Sequence, residues 1–187
     1  MGSPKAALQT PEGQPFVVAI VDSLRASAEV DDIVIVTGTH HEAIVEALGS
    51  RAALVRVVRN PDPDRGQLSS LWIGMDAVVT DASQAFLMTL VDVPRIDAST
   101  IRAVVAAWRT SGAPIVRPAI GDRHGHPVLF DRAVFDELRR APLDQGAKAV
   151  IRAHADDLLN VAVADAGCLV DVDTPQDYRK MQQTSSD

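Results

Sequence analysis

Six short apolar runs, separated by stretches of helical periodicity, constrain this chain more than any other feature. They extend from Asp32 to Thr37, Ala53 to Val58, Ala85 to Val91, Pro114 to Arg117, Pro127 to Phe130 and Leu158 to Val163. Most are β-branched or continuously apolar, with no strict polar alternation. A strand reads that way when both of its faces are covered, which predicts a largely parallel sheet sandwiched between helices. The intervening segments 16–28, 40–48, 68–79, 99–110, 132–139, 147–154 and 176–182 carry apolar residues three and four apart among strong helix formers, and supply those helices. The class is α/β. At 187 residues the chain can bury one substantial core and has little room for a second, because single cores serve roughly 50–200 residues. Residues 1–181 therefore read as one domain, and 182–187 as a flexible tail.

Charge and cysteine usage then remove several classes of function. Eighteen Lys and Arg face 25 Asp and Glu, a net charge of −7, so the chain lacks the broad basic field that draws proteins to nucleic acid or anionic membranes. Neither is an expected partner, and phosphate ligands would need a local device. The single cysteine, Cys168, excludes an intramolecular disulfide framework and a Cys-based zinc site, and fits a reducing cytosol. The N-terminal residues have no apolar core of a signal peptide, and no stretch approaches the roughly 20 apolar residues of a membrane span. The cytoplasm is the expected location. Only three lysines occur, Lys5, Lys148 and Lys180, so a lysine near a motif carries unusual weight.

In open α/β sheets, ligands lie beyond the carboxyl ends of the strands. There the chain reads Thr37–His41, Arg59–Gln67 and Asp92–Pro94, each polar and turn-rich. Asp92 leaves an apolar run just before Val93-Pro94, a position suited either to a metal ligand or to a turn cap. Asp171-Val172-Asp173-Thr174-Pro175 places Asp171 and Asp173 on one side of an extended segment, where Asp173 either completes a metal site or caps the following helix. The stretch from Asn60 to Leu71 sets a loop with two prolines and Gly66 ahead of a helix whose first turn offers Ser69, Ser70 and free backbone N–H groups. Such a helix start binds polar ligands, or is simply a loop followed by serine caps. His124 and His126, in a glycine-flanked loop with Arg123, lack a nearby third ligand for zinc and point to phosphate or substrate binding. His40-His41 reads as a helix start. The segment from Gly2 to Lys5 is uninformative by spacing alone.

Taken in order, Met1–Leu8, Asn60–Leu71, Val91–Pro94, Gly125–Pro127, Asp144–Ala147 and Asp171–Asp177 resemble the motifs of the MobA-like NTP transferases. Within that family they are most similar to the molybdenum cofactor cytidylyltransferases. The resemblance runs from Met1 to about Tyr178. It implies a three-layer α/β/α Rossmann-like nucleotidyltransferase fold and an Mg²⁺-dependent reaction. In that reaction CMP passes from CTP to molybdenum-bearing molybdopterin with release of pyrophosphate, and a molybdenum hydroxylase is the client. It further implies that Lys5 meets the nucleotide phosphates, that Asp92 is the main Mg²⁺ ligand and Asp173 a second, and that Gly2, Asn60, Gly66, Ser69 and Ser70 frame the nucleotide. His126 would line the acceptor side.

The family pattern also includes an apolar strand and a Gly-rich loop just ahead of the Met-Gly-x-Pro-Lys element with which these 187 residues open. Neither lies within them. The expectation is that the start was assigned too late, since every later motif is present; if 1–187 is the real chain, transferase activity is expected to be weak or absent. Guanylyl transfer, or nucleotidyl transfer to another phosphorylated acceptor, keeps the same fold with other ligands. A partner that binds the cofactor without chemistry is the expectation from a different class.

Overall fold

A computed structural model describes residues 4–183; Gly2 and the tail residues 184–187 lie outside them. Among the described residues there are seven strands, β1 (Val34–Thr37), β2 (Arg56–Arg59), β3 (Ala85–Met88), β4 (Ile115–Ile120), β5 (Arg123–His124), β6 (Val128–Asp131) and β7 (Leu159–Ala162). Between them run the helices α1 (Phe16–Ser27), α2 (His41–Leu48), α3 (Gln67–Val78), α4 (Ala98–Ser111), α5 (Phe135–Arg140), α6 (Lys148–Ala153) and α7 (Pro175–Gln183). Each predicted run and helical segment corresponds to one of these elements. Only β5, two exposed residues long, has no counterpart in the sequence reading.

β4 organises the larger sheet. β7 runs parallel along one of its edges, while β6 and the short β5 share the other edge, both antiparallel. β3 completes this sheet as an antiparallel neighbour of β6. β1 and β2 pair parallel with each other in a separate ribbon. The sheet is thus mixed, a correction to the mostly parallel arrangement expected. Connection length explains part of it: only two residues join β4 to β5, a hairpin that sets β5 antiparallel to β4, and after three more residues β6 continues along the same edge, whereas parallel pairing needs a crossover such as α2.

The two faces of β4 and β6 show why the architecture is three-layered. Val116 and Leu129 point toward Val104 and Val105 of α4, whereas Ile115, Val128 and Phe130 meet Leu68 and Met75 of α3 together with Phe135, Leu138 and Val150 of α5 and α6. Burying each such large apolar side chain contributes about 1.5–3 kcal/mol. α1 lies beside α4, packing Val17, Val18 and Val21 against Ile33, Ile35 and Val57. Asp97 fixes the start of α4 by accepting a hydrogen bond from the Ser99 amide at 2.6 Å. By contrast, the residues of β3 are only half-buried throughout, as are Val34, Ile35 and Val36 of β1.

Candidate functional site

Asp92 follows β3 in a tight turn, and its main chain reaches a segment nearly eighty residues away. The Val172 amide donates to the Asp92 carbonyl at 2.8 Å. Val172 is fully buried with Phe16 and Met181, and side chains alternate along an extended segment. Burying Val172 therefore turns Asp171 and Asp173 to the opposite side, next to Asp92. Lys5 enters from a single 3₁₀ turn, Lys5–Ala7, held down by buried Ala6. Its Nζ donates to Asp173 Oδ1 at 2.6 Å and lies 3.7 Å from Asp92 Oδ2. One cation and three carboxylates thus converge from three distant parts of the chain.

The electrostatics follow from this crowding. Partial burial pulls the Lys5 ammonium pKa down, but the hydrogen bond and charge of Asp173, with the charge of Asp92, outweigh it and leave the pKa raised. Burial, reinforced by the neighbouring Asp92 and Asp173, pushes the Asp171 carboxyl up against the opposing pull of His126 and Lys5. Asp92 Oδ1 is buried and has no hydrogen-bond partner. A carboxylate oxygen held in that state suits a hard cation that takes oxygen ligands. Among the described residues no group of three or more His, Cys, Asp or Glu side chains could hold a metal ion by itself. Asp92, with Asp173 beside it, fits the other mode, in which one or two carboxylates bind a metal whose remaining positions go to phosphate oxygens and water.

His126 closes one side of this cluster. Its amide donates to the Cys168 carbonyl at 3.0 Å, and its Nδ1 lies 3.4 Å from the Met88 carbonyl at the end of β3. Gly125 permits this approach, since a Cβ there would sit 2.2 Å from the Cys168 carbonyl oxygen. Burial lowers the His126 pKa, although the Met88 carbonyl and the charges of Asp171 and Asp92 act in the other direction. The ring is accordingly neutral near pH 7. His124 sits on β5, both residues of which are exposed.

A second cluster forms beyond β2. Asn60 is 3% exposed; both hydrogens of its amide are used, on Ser69 Oγ at 2.9 Å and Ser70 Oγ at 3.0 Å. Its Oδ1 accepts from the Asp62 amide at 2.9 Å, while the Ser69 hydroxyl donates to the Gly66 carbonyl at 2.7 Å. Gly66 itself has φ +92°, a conformation that favours glycine, and leads directly into α3. Asn60 and Ser69 thus brace the 61–67 loop from behind, and Ser70 stands at the surface of a cavity of about 850 Å³. That cavity is bounded on one side by Gln67 and Ser70 and on another by Thr89, Leu90 and Val91, the residues leading to Asp92.

The structure therefore gathers Lys5, Asp92, Asp173 and His126 into one cluster, and Asn60, Gly66, Ser69 and Ser70 into a second. Gly2 lies outside the described residues. Asp171 was not among the sequence-predicted site residues, although its two-residue spacing from Asp173 was the available signal.

Residues 1–158 match the family model described as the MobA-like NTP transferase domain. A probable molybdenum cofactor guanylyltransferase from Rhodopirellula baltica is 25% identical over 187 residues, 95% of this chain and 83% of that protein. The crystal structure of Rv0371c from Mycobacterium tuberculosis H37Rv superposes with a TM-score of 0.79 at 28% identity, covering 98% of this chain and 90% of that one. The same mycobacterial protein in complex with manganese gives a TM-score of 0.76 at 28% identity over 97% of this chain and 93% of that one.

Proposed function

The chain belongs to the MobA-like NTP transferase family of nucleotidyltransferases, and from that premise we propose that it moves a nucleoside monophosphate from an Mg²⁺-bound NTP to a phosphorylated molybdopterin-type acceptor. The observation that carries this reading is the Asp92 carboxylate, with one oxygen buried and unpartnered and the Lys5 ammonium beside the other. An acceptor phosphate oxygen attacks the α-phosphorus in line; the bond from that phosphorus to the bridging oxygen breaks, and pyrophosphate leaves with the electron pair. Such a step needs alignment and charge neutralisation more than covalent help from the protein. Lys5, released from Asp173 by a stronger anion, holds the phosphates. Asp92, with Asp173 as a second carboxylate, would hold Mg²⁺, which when bound supplies further positive charge at the phosphates. The loop braced by Asn60 and Ser69 frames the nucleotide, with Gly66 and Ser70 at its surface. Neutral His126 lines the acceptor side without adding a charge.

Motif resemblance favours CTP as donor, with a molybdenum hydroxylase as client of the finished cofactor. A second reading, guanylyl transfer from GTP, is supported by the name of the Rhodopirellula relative. Pyrophosphate release with molybdopterin acceptor and Mg²⁺, measured across CTP, GTP, ATP and UTP, tests both. CTP is expected to lead, with CMP found on the acceptor. A GTP preference would transfer the conclusion to the second reading, and tight nucleotide binding without turnover of any of the four would replace both with a non-catalytic binding role.

A further inference from the structure

Side chains alternate between the two faces of β4, and one face changes character partway along the strand. Ile115 packs with residues of α5 and α6; two residues later the same face carries Arg117. β7 sets Asn160 directly opposite Arg117 and Ala162 opposite Ala119, while β5 sets His124 opposite Ala119 along the other edge. Arg117, Asn160 and His124 therefore share one side of three neighbouring strands, where His124, Asn160 and Ala162 are exposed and Arg117 is half-buried. The Arg117 Nε donates to Asn160 Oδ1 at 2.9 Å, a neutral acceptor. Among the described residues no carboxylate pairs with this guanidinium, although the chain carries 25 Asp and Glu. Burial lowers the Arg117 pKa with no acidic neighbour to raise it. Burial and then the charge of Arg117 also lower the pKa of His124, against the opposing pull of Asp122. A partly desolvated cation held only by a neutral amide carries a cost that an anion would offset.

We propose that Arg117, steered by Asn160 and flanked by His124, is a seat for a phosphate-class oxyanion in addition to the one that Lys5 serves. Three features specify this occupant. The guanidinium is a planar fork whose Nε is committed to Asn160, so both terminal nitrogens are left to grip two oxygens of one tetrahedral anion. His124 is neutral near pH 7 and offers one ring N–H to the same anion, becoming a second cation as the negative charge arrives. Ala162 adds no bulk at the exposed surface, so the seat is open to an ion or to a group carried on a larger molecule. The seat also adjoins the acceptor side, because the Gly125 amide donates to the Pro118 carbonyl at 2.9 Å and leads straight from His124 to His126. The anion is thus either a group borne by the acceptor or a free phosphate. Its binding does not depend on the transfer reaction; only its assignment to the acceptor rests on that reading.

The probe is inorganic phosphate, titrated into the full chain without nucleotide or metal at constant ionic strength, with chloride as the control. NMR follows the Arg117 Nε–H and the His124 ring signals. Both are expected to shift saturably with phosphate and not with chloride. Arg117→Gln should weaken the binding read at His124 by about tenfold or more, Arg117→Lys should weaken it less, and Asn160→Ala should weaken it with every charge kept. Lys5→Met should leave it unchanged. Absence of a saturable shift, an equal response to chloride, or full binding by both Arg117→Gln and Asn160→Ala overturns the proposal, as does loss of the His124 response in Lys5→Met. The transfer assay then separates the two sources. A rise of about tenfold in the acceptor KM of Arg117→Gln, with the KM for NTP unchanged, places the acceptor's anionic group on the seat. An unchanged acceptor KM, with phosphate binding lost in the same variant, assigns the seat to the free ion.

Discussion

The clusters at the ends of β2 and β3 are built on opposite principles. Around Asn60 the polar atoms are neutral and mutually satisfied, with Asn60 and Ser69 themselves buried: both amide hydrogens, the amide oxygen and the Ser69 hydroxyl all have partners within the protein. Around Asp92 the groups are charged and partly open, and one buried carboxylate oxygen has none. A satisfied buried network holds a shape, and breaking it leaves orphaned groups. An unsatisfied carboxylate beside a lysine holds its shape at some electrostatic cost, which a ligand relieves. Stability should therefore reside in the first cluster and ligand affinity in the second.

Replacing Asp92 should show the largest effect. Asp92→Asn is expected to lower nucleotidyl transfer by about 10²–10³, the range for removing a group aimed at developing charge, while the melting temperature holds or rises. A loss of both stability and activity would break the contrast. Asn60→Ala should do the reverse, costing about 1–3 kcal/mol of folding stability in urea titrations because buried hydroxyls and an amide lose their partners, with metal affinity at Asp92 unchanged. Lys5→Met should raise the KM for NTP about tenfold, with the difference shrinking in high salt, as expected of a partly exposed charge; an effect confined to kcat would move Lys5 out of ground-state phosphate binding.

Acidification probes the charged cluster through His126. Its folded pKa lies below the ordinary value of 6.5, so as pH falls through that value the unfolded chain takes up the proton first and stability declines. His126→Gln should flatten the slope of stability against pH below about 6.5; an unchanged slope would assign it to other groups. Asp173→Ala should have the smallest effect. Its side chain is 66% exposed, and exposed ion pairs contribute roughly 0–1 kcal/mol, so stability should hardly change. As the second carboxylate at the metal, Asp173 should on substitution lower metal affinity by less than Asp92→Asn does; unchanged metal affinity would leave it only the role of partner to Lys5.

Much of this contrast was readable from the chain. Asp92 announced itself by following an apolar run and preceding Val93-Pro94, and the Asn60 loop did so through its prolines, Gly66 and the serines beyond. Lys5 had no such local signal; only motif resemblance singled it out, because its partners lie far along the chain. Asp171 shows why: its spacing from Asp173 is visible, but its place beside Asp92 depends on a main-chain bond from Val172 that no local pattern encodes. The mixed sheet escaped for a related reason, since continuous apolar runs report that both faces are covered and are silent on strand direction. β5, with only Arg123 and His124 and no apolar face, carries no periodic signal at all.

Manganese(II) binding followed by electron paramagnetic resonance, with and without nucleotide, in the natural chain and in Asp92→Asn, examines the assignment of ligand affinity to the Asp92 cluster. The natural chain should bind manganese together with nucleotide, and Asp92→Asn should weaken that binding by at least about tenfold, roughly 1.4 kcal/mol, with folding stability in urea preserved. Equal manganese binding by the two proteins, in the presence of the same nucleotide, would contradict it.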